Sequence, residues 1–327
     1  MAENEVKGKS GAGKFVVIEK IRQKYARAFA PGDATGMPVT GSSLLMEGIH
    51  FNLVYFPLAH LGYKAVISAI SGVYNRGGRP ANISVNLGIS TRHRIEDIEA
   101  IFQGVEYACN NYSLKMTDIY VESSLTGLTI AVHATGTAQS DPLPHPAEND
   151  LICVTGNLGA AFLGLHILER ERKVFEETGG AQPKLDGYEF IIGRQLKPDL
   201  PVKKLDEIID AGIVPTSLMV TREGIASDLI GLCRTTSTGC RVYAEKIPVA
   251  TETATTAEKL GIEPVTSTLN GGDDFEFIFT VPISESKKVL TIDGISVIGH
   301  IAGAGDGCHL VLQDGSLAEL RAPGWEE

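Results

Sequence analysis

No apolar run in this 327-residue chain approaches the ~20 residues that cross a bilayer as a helix. The opening MAENEVKGK lacks the apolar core of a secretory signal, so a soluble, cytoplasmic protein is expected. Basic residues are the scarcer charge: 29 Lys and Arg stand against 40 Asp and Glu, a formal net charge of −11. That balance argues against nucleic acid as a partner, because affinity there comes largely from cationic contacts to phosphates. A small phosphate ester would need local donors or a bound cation to offset it. Cysteine is sparse: Cys109, Cys153, Cys233, Cys240 and Cys308 are odd in number and never spaced as CxxC. Spacing alone therefore points to reduced thiols, not to zinc or a disulfide framework. Disorder and fibrous repeats are excluded too, since 43% hydrophobic and 21% charged residues is ordinary globular usage and no internal repeat is visible.

The length suggests two domains. Residues 1–14 are polar and glycine-rich and read as a flexible arm. The three prolines of AQSDPLPHPAEND break the pattern near residues 138–149, dividing an N-terminal domain (15–140) from a C-terminal one (149–327). Alternation at Ile83, Val85, Leu87 and Ile89 predicts a strand, as does Leu128, Ile130, Val132 and Ala134. Ile95, Ile98, Phe102, Val105 and Cys109 recur at helical steps. In the second half, strands are expected at 151–154, 241–247, 275–279 and 295–301, and helices at 160–177, 205–212 and 223–233. Thr178-Gly179-Gly180 and Gly212 stop the first two of those helices. Mixed elements in both halves indicate an α/β (α+β) fold.

Six short motifs bear on chemistry. Gly8-x4-Gly13-Lys14 imitates a phosphate-binding loop, but Phe15 stands where Ser or Thr should ligate magnesium and no strand precedes it, which argues for coincidence. The turn TGNLG leads from a strand into a helix, where Gly156 and Gly159 would let an anion approach backbone N–H groups, or would simply serve packing. In NGGDDFEF, two glycines precede Asp273, Asp274 and Glu276 at the mouth of an apolar strand, suiting a polar-ligand or magnesium site. SSLLMEGIHF and TREGIASDL gather Ser42, Ser43, His50, Arg222 and Glu223, with Asp33 just upstream in PGDATG.

MEGIHF, LGYKAV, NDLICVTGNLGAAFLGL, GCRVYAEKIP, NGGDDFE, VIGHI and PGW together resemble thiamine-monophosphate kinase, within the aminoimidazole ribonucleotide synthetase-like superfamily, from about Phe15 to Trp325. The resemblance implies a two-domain fold whose N-terminal sheets pair across a homodimer into a barrel, with a C-terminal α/β domain. It implies ATP-dependent phosphorylation of thiamine monophosphate with Mg²⁺ bridging phosphates. Carried over residue by residue, Asp33, Ser42, Ser43 and Glu223 would hold metal, with Asp33 and Glu223 the catalytic acids. Arg222, Gly156 and Gly159 would contact the nucleotide, and His50, Asp273 and Trp325 the thiamine phosphate. Several family carboxylates are replaced here: GDDAA appears as GDATG, Thr-Asp as Ser42-Ser43, Ser-Asp as Ser71-Gly72, GGD-T as VESS, and D-x-SDGL as Val220 to Ile225 with Arg222 and Glu223. Those losses keep two other readings open, a non-catalytic ligand-binding homologue and a related ATP-dependent enzyme with another acceptor.

Overall fold

The computed structural model describes residues 13–25, 36–139, 143–180 and 182–325. Asp33, the PGDATG motif up to Thr35 and Gly8 lie outside them. Gly13 and Lys14, at the end of the expected arm, lie inside: Gly13 is buried, and helix α1 (Lys14–Lys24) starts at Lys14.

The first half forms a four-stranded sheet from β1 (Pro38–Met46), β2 (Gly78–Ile89), β3 (Lys115–Ser123) and β4 (Thr129–Ala138), in the order β1-β4-β2-β3. Its pairs are antiparallel except β2–β3, which run parallel and are joined through a helical crossover, α3 (Ile95–Asn111). β1 alternates strictly between exposed and buried residues, because its inner face lies against α2 (Leu58–Tyr74) while its outer face is open. β3 is exposed along its whole length and carries Met116, Ile119, Tyr120 and Val121 on the surface. In a single chain this sheet is open, with β1 and β3 at its edges.

The second half is built on a seven-stranded sheet, β11-β10-β7-β9-β5-β8-β6. Its central strands β5 (Leu151–Thr155) and β8 (Phe277–Val281) are buried nearly throughout, so they read as continuous apolar runs. β6 (Ser217–Val220) and β9 (Ile295–Ala302) flank them, followed by β7 (Gly239–Tyr243), β10 (Cys308–Val311) and β11 (Leu317–Glu319). Helices α4 (Ala160–Glu177), α5 (Glu189–Leu196), α6 (Val202–Asp210), α7 (Ile225–Thr236), α8 (Thr251–Leu260) and α9 (Pro264–Asn270) surround it.

The mixed α/β expectation holds. The strand expected at 275–279 starts two residues later, because Phe275 has φ +53° and turns the chain before the ladder begins. The strand expected at 241–247 ends at Tyr243, where a 3-10 turn takes over. One apolar core runs through both halves: Leu61, Ile67, Val85 and Val132 of the first belong to the same cluster as Leu168, Leu196, Phe275 and Phe277 of the second. Asn75, just beyond α2, accepts the Val220 N–H at 2.7 Å and ties the halves further.

Candidate active site

A cavity of about 350 Å³ opens between the halves, its wall drawn from β1, the following loop, α2, α4 and two segments of the second half. Those two segments are laced together by backbone. Asp273 N donates to Arg222 O at 3.0 Å and Phe275 N to Thr221 O at 3.0 Å, while Thr221 N donates to Glu276 O at 2.8 Å. A Cβ on Gly272 would meet the Arg222 carbonyl oxygen at 2.5 Å, so only glycine allows this approach. Asp273 itself sits at φ +66°, a strained conformation for a non-glycine residue and one that clusters at functional sites.

The lacing brings Arg222, Glu223 and Asp273 together, and α1, the loop after β1 and α2 add Lys14, His50 and Lys64, so six charged or titratable groups line the cavity wall. Lys64 is 3% exposed, and its ammonium is fixed by the Asp273 carboxylate at 2.8 Å and the Gln195 carbonyl at 2.8 Å. Lys14 binds the Glu223 carboxylate at 2.7 Å. His50 Nδ1 accepts the Met46 N–H at 3.1 Å, so the neutral ring carries its proton on Nε2 and can donate there. Burial of the ring holds its pKa below the ordinary imidazole value, against the pull of Asp273, with Lys14 adding to the drop. Two ion-paired lysines and Arg222 thus share the wall with two carboxylates, an environment suited to an anionic ligand despite the chain's net negative charge.

Of the residues singled out from the sequence, His50, Arg222, Glu223 and Asp273 come together here. Ser42 and Ser43 do not join them. They lie on opposite faces of β1, with exposed Ser42 against His133 Nδ1 at 3.2 Å and buried Ser43 donating to the Ala65 carbonyl at 2.8 Å. Their two hydroxyls therefore point to different sides, and Asp33, expected to hold metal with them, lies outside the described residues. Nor is there space for the family's carboxylate after Ser71: a Cβ on Gly72 would meet the Gly41 Cα at 2.8 Å, because α2 lies directly on β1.

At the TGNLG turn, the contacts favour the packing alternative. The N-terminus of α4 is taken by the chain's own Asp274, whose carboxylate accepts Gly159 N at 2.7 Å and Ala161 N at 3.4 Å. Gly156 and Gly159 are needed for packing, since a Cβ there would strike Glu276 Oε1 at 2.3 Å or Ser267 Oγ at 2.4 Å. Burial raises the Asp274 carboxyl to about 7, even with those donors and Arg194 opposing it. Glu276 is likewise raised by burial, held by Thr155 at 2.6 Å and Arg194 at 2.9 Å. These two acids are scaffold, and only Asp273 of the acidic run faces the cavity.

Trp325 is an anchor. Its ring stacks on Phe15 at 4.9 Å, the Arg234 guanidinium covers it at 5.3 Å, and its N–H donates to Ser227. Contacts on this side leave it outside the cavity lined by His50 and Asp273. No sequence signal assigns Lys14 or Lys64 to this cavity: the first belongs to an incomplete loop motif, and the second sits in LGYKAV on α2.

Asp228, in the first turn of α7, is half-buried and sets its carboxyl close to Glu223. Its enclosure, and next the Glu223 charge, raise it to about 8, although Arg222 N donates to it at 3.2 Å. A carboxyl raised in the folded state contributes stability below its unfolded value near 4 and loses it as pH climbs through about 8. The substitution Asp228→Asn is expected to raise the thermal midpoint relative to the parent increasingly from pH 5 to pH 9. A difference independent of pH would show that this carboxyl ionises freely.

Residues 31–138 match the family described as AIR synthase related protein, N-terminal domain. The thiamine-monophosphate kinase of Aquifex aeolicus is 25% identical over 321 residues, covering 96% of this chain and 97% of that protein. That of Synechococcus elongatus is 28% identical over 272 residues, 80% of this chain and 78% of the relative. A solved structure, "AaThiL complexed with AMPPCP and TMP", superposes with a TM-score of 0.81 at 23% identity, over 96% of this chain and 97% of that one. The chain is built on the AIR synthase-related fold, and its resemblance to thiamine-monophosphate kinases extends over almost its whole length.

Proposed function

We propose that this protein is a phosphotransferase that moves the γ-phosphoryl group of ATP onto thiamine monophosphate, giving thiamine diphosphate and ADP. The observation that carries this is the cation-lined cavity between the halves, in a chain whose fold matches a kinase solved with AMPPCP and TMP. A terminal phosphate oxygen of the acceptor attacks the γ-phosphorus, and the bond from that phosphorus to the β,γ-bridging oxygen breaks with ADP leaving. Such transfer needs alignment and charge neutralisation more than covalent help. Lys64, immobilised by two partners, and Arg222 supply positive charge. His50 offers its Nε2–H to the acceptor phosphate, and Asp273 orients Lys64.

Magnesium is the cation that the resemblance implies. The described residues do not fit a magnesium cage: Glu223 and Asp273 are each bound by a lysine, and Ser42 and Ser43 diverge. Magnesium favours octahedral oxygen coordination, which these groups do not provide. The exposed β3 edge and its apolar side chains support pairing of two chains through their first sheets, which a mass of two chains by light scattering would test. A cytoplasmic location completes the reading.

The direct test supplies ATP, magnesium and thiamine monophosphate to the purified protein. One thiamine diphosphate is expected for each ADP. Binding of thiamine monophosphate with no turnover would favour the non-catalytic homologue, and ADP release with another acceptor alone would reassign the substrate.

A further inference from the structure

We propose that Cys233, Cys240 and Cys308 form a three-thiolate site for a thiophilic d¹⁰ cation of the zinc class. Spacing along the chain argued against zinc, but the fold removes that objection. β7 and β10 pair in parallel with Cys240 directly opposite Cys308, so their side chains share one face of the sheet. α7 packs across that face and brings in Cys233. The three Sγ atoms all lie within 4.8 Å of one another.

Three sulfurs bonded to one tetrahedral zinc at ~2.3 Å would be separated by roughly 3.8 Å, so closure needs only small side-chain adjustments. Thiolate donors select soft cations such as zinc over magnesium or calcium. A disulfide would join two of the sulfurs at ~2.05 Å and leave the third redundant, whereas a single ion uses all three. Cys233 and Cys240 share an apolar cluster with Ile225, Leu229, Ile301 and Leu310, and the polar neighbours are the Thr238 hydroxyl at Cys233 and the His309 charge near Cys308.

The fourth coordination position is supplied from outside. Cys308 is half-buried and lines a cavity of about 530 Å³ together with Arg234, Arg321 and Trp325. Binding a divalent ion releases three thiol protons to solvent and leaves one net negative charge. Arg234 and Arg321 line the same cavity, each also paired with a glutamate, Glu19 and Glu319. None of the three cysteines lines the cavity of His50 and Asp273, although Pro323 borders both that cavity and the one beside Cys308, so the proposal does not depend on the kinase reading.

The test uses the full-length, reduced protein under anaerobic conditions with Cd²⁺ as the probe. A sulfur-to-cadmium absorption band should saturate at one ion per chain, the number of titratable thiols should fall by three, and the thermal midpoint should rise. Cys308→Ala and, separately, Cys233→Ala should abolish the saturating band, while Cys109→Ser should leave it intact. Cys308 is only half-buried, so its variant tests the site without emptying the core. Absence of the band, or its survival in Cys308→Ala, would each overturn the proposal.

Discussion

Replacing Lys64 by methionine is expected to lower turnover of thiamine monophosphate by about 10²–10³-fold, the usual loss when one preorganised charge is removed from a reaction site. Stability should change far less. The Asp273 partner is 38% exposed and can take up water once its lysine is gone, so the cost is roughly 1 kcal/mol, not the several expected of a closed pair. Methionine also preserves much of the buried stem between Phe56 and Gln195. The separation of the two effects is the point of the experiment. Steady-state rates and a denaturation curve on the same sample give both numbers, and a large loss of stability with little change in rate would make Lys64 a structural residue only.

Arg194→Met is expected to act in the opposite sense, on the fold more than on the chemistry. Arg194 donates to Glu276 Oε1 at 2.9 Å and to the carbonyls of Asp274 and Asn157. Glu276 is only 6% exposed, so removing its cation leaves a nearly closed carboxylate. The expected cost is about 3–5 kcal/mol, a large share of the stability of an ordinary domain. Burial already raises the Glu276 pKa, and losing Arg194 raises it further. Protonation then relieves the defect, so the variant should be less destabilised at pH 6 than at pH 8. Adding Glu276→Gln should recover most of the loss. Urea midpoints at both pH values check this, and equal losses at both would mean that Glu276 is not the residue left in deficit.

Local signals made much of the fold legible. Helix α4 ends at Glu177, where Thr178-Gly179-Gly180 announces a stop, and the alternation from Ile83 to Ile89 marks the core of β2. The site was legible where its residues follow one another, as in MEGIHF and NGGDDFE. It was hidden where long-range packing decides. Nothing in TGNLG tells that Asp274, more than a hundred residues on, already occupies the helix start that an anion would use. The pair Ser42-Ser43 looks like one donor site until the pleat sends the two hydroxyls to opposite faces. The same holds for the three cysteines, whose proximity depends on β7 and β10 lying side by side.

The apolar cluster that joins Leu61 and Val132 to Phe275 and Phe277 has a kinetic corollary. Two lobes with a common interior cannot swing apart like jaws without baring that interior to water. Ligand exchange must therefore proceed through small excursions at the rim, around His50 and Pro323, and heating should melt both lobes in one transition.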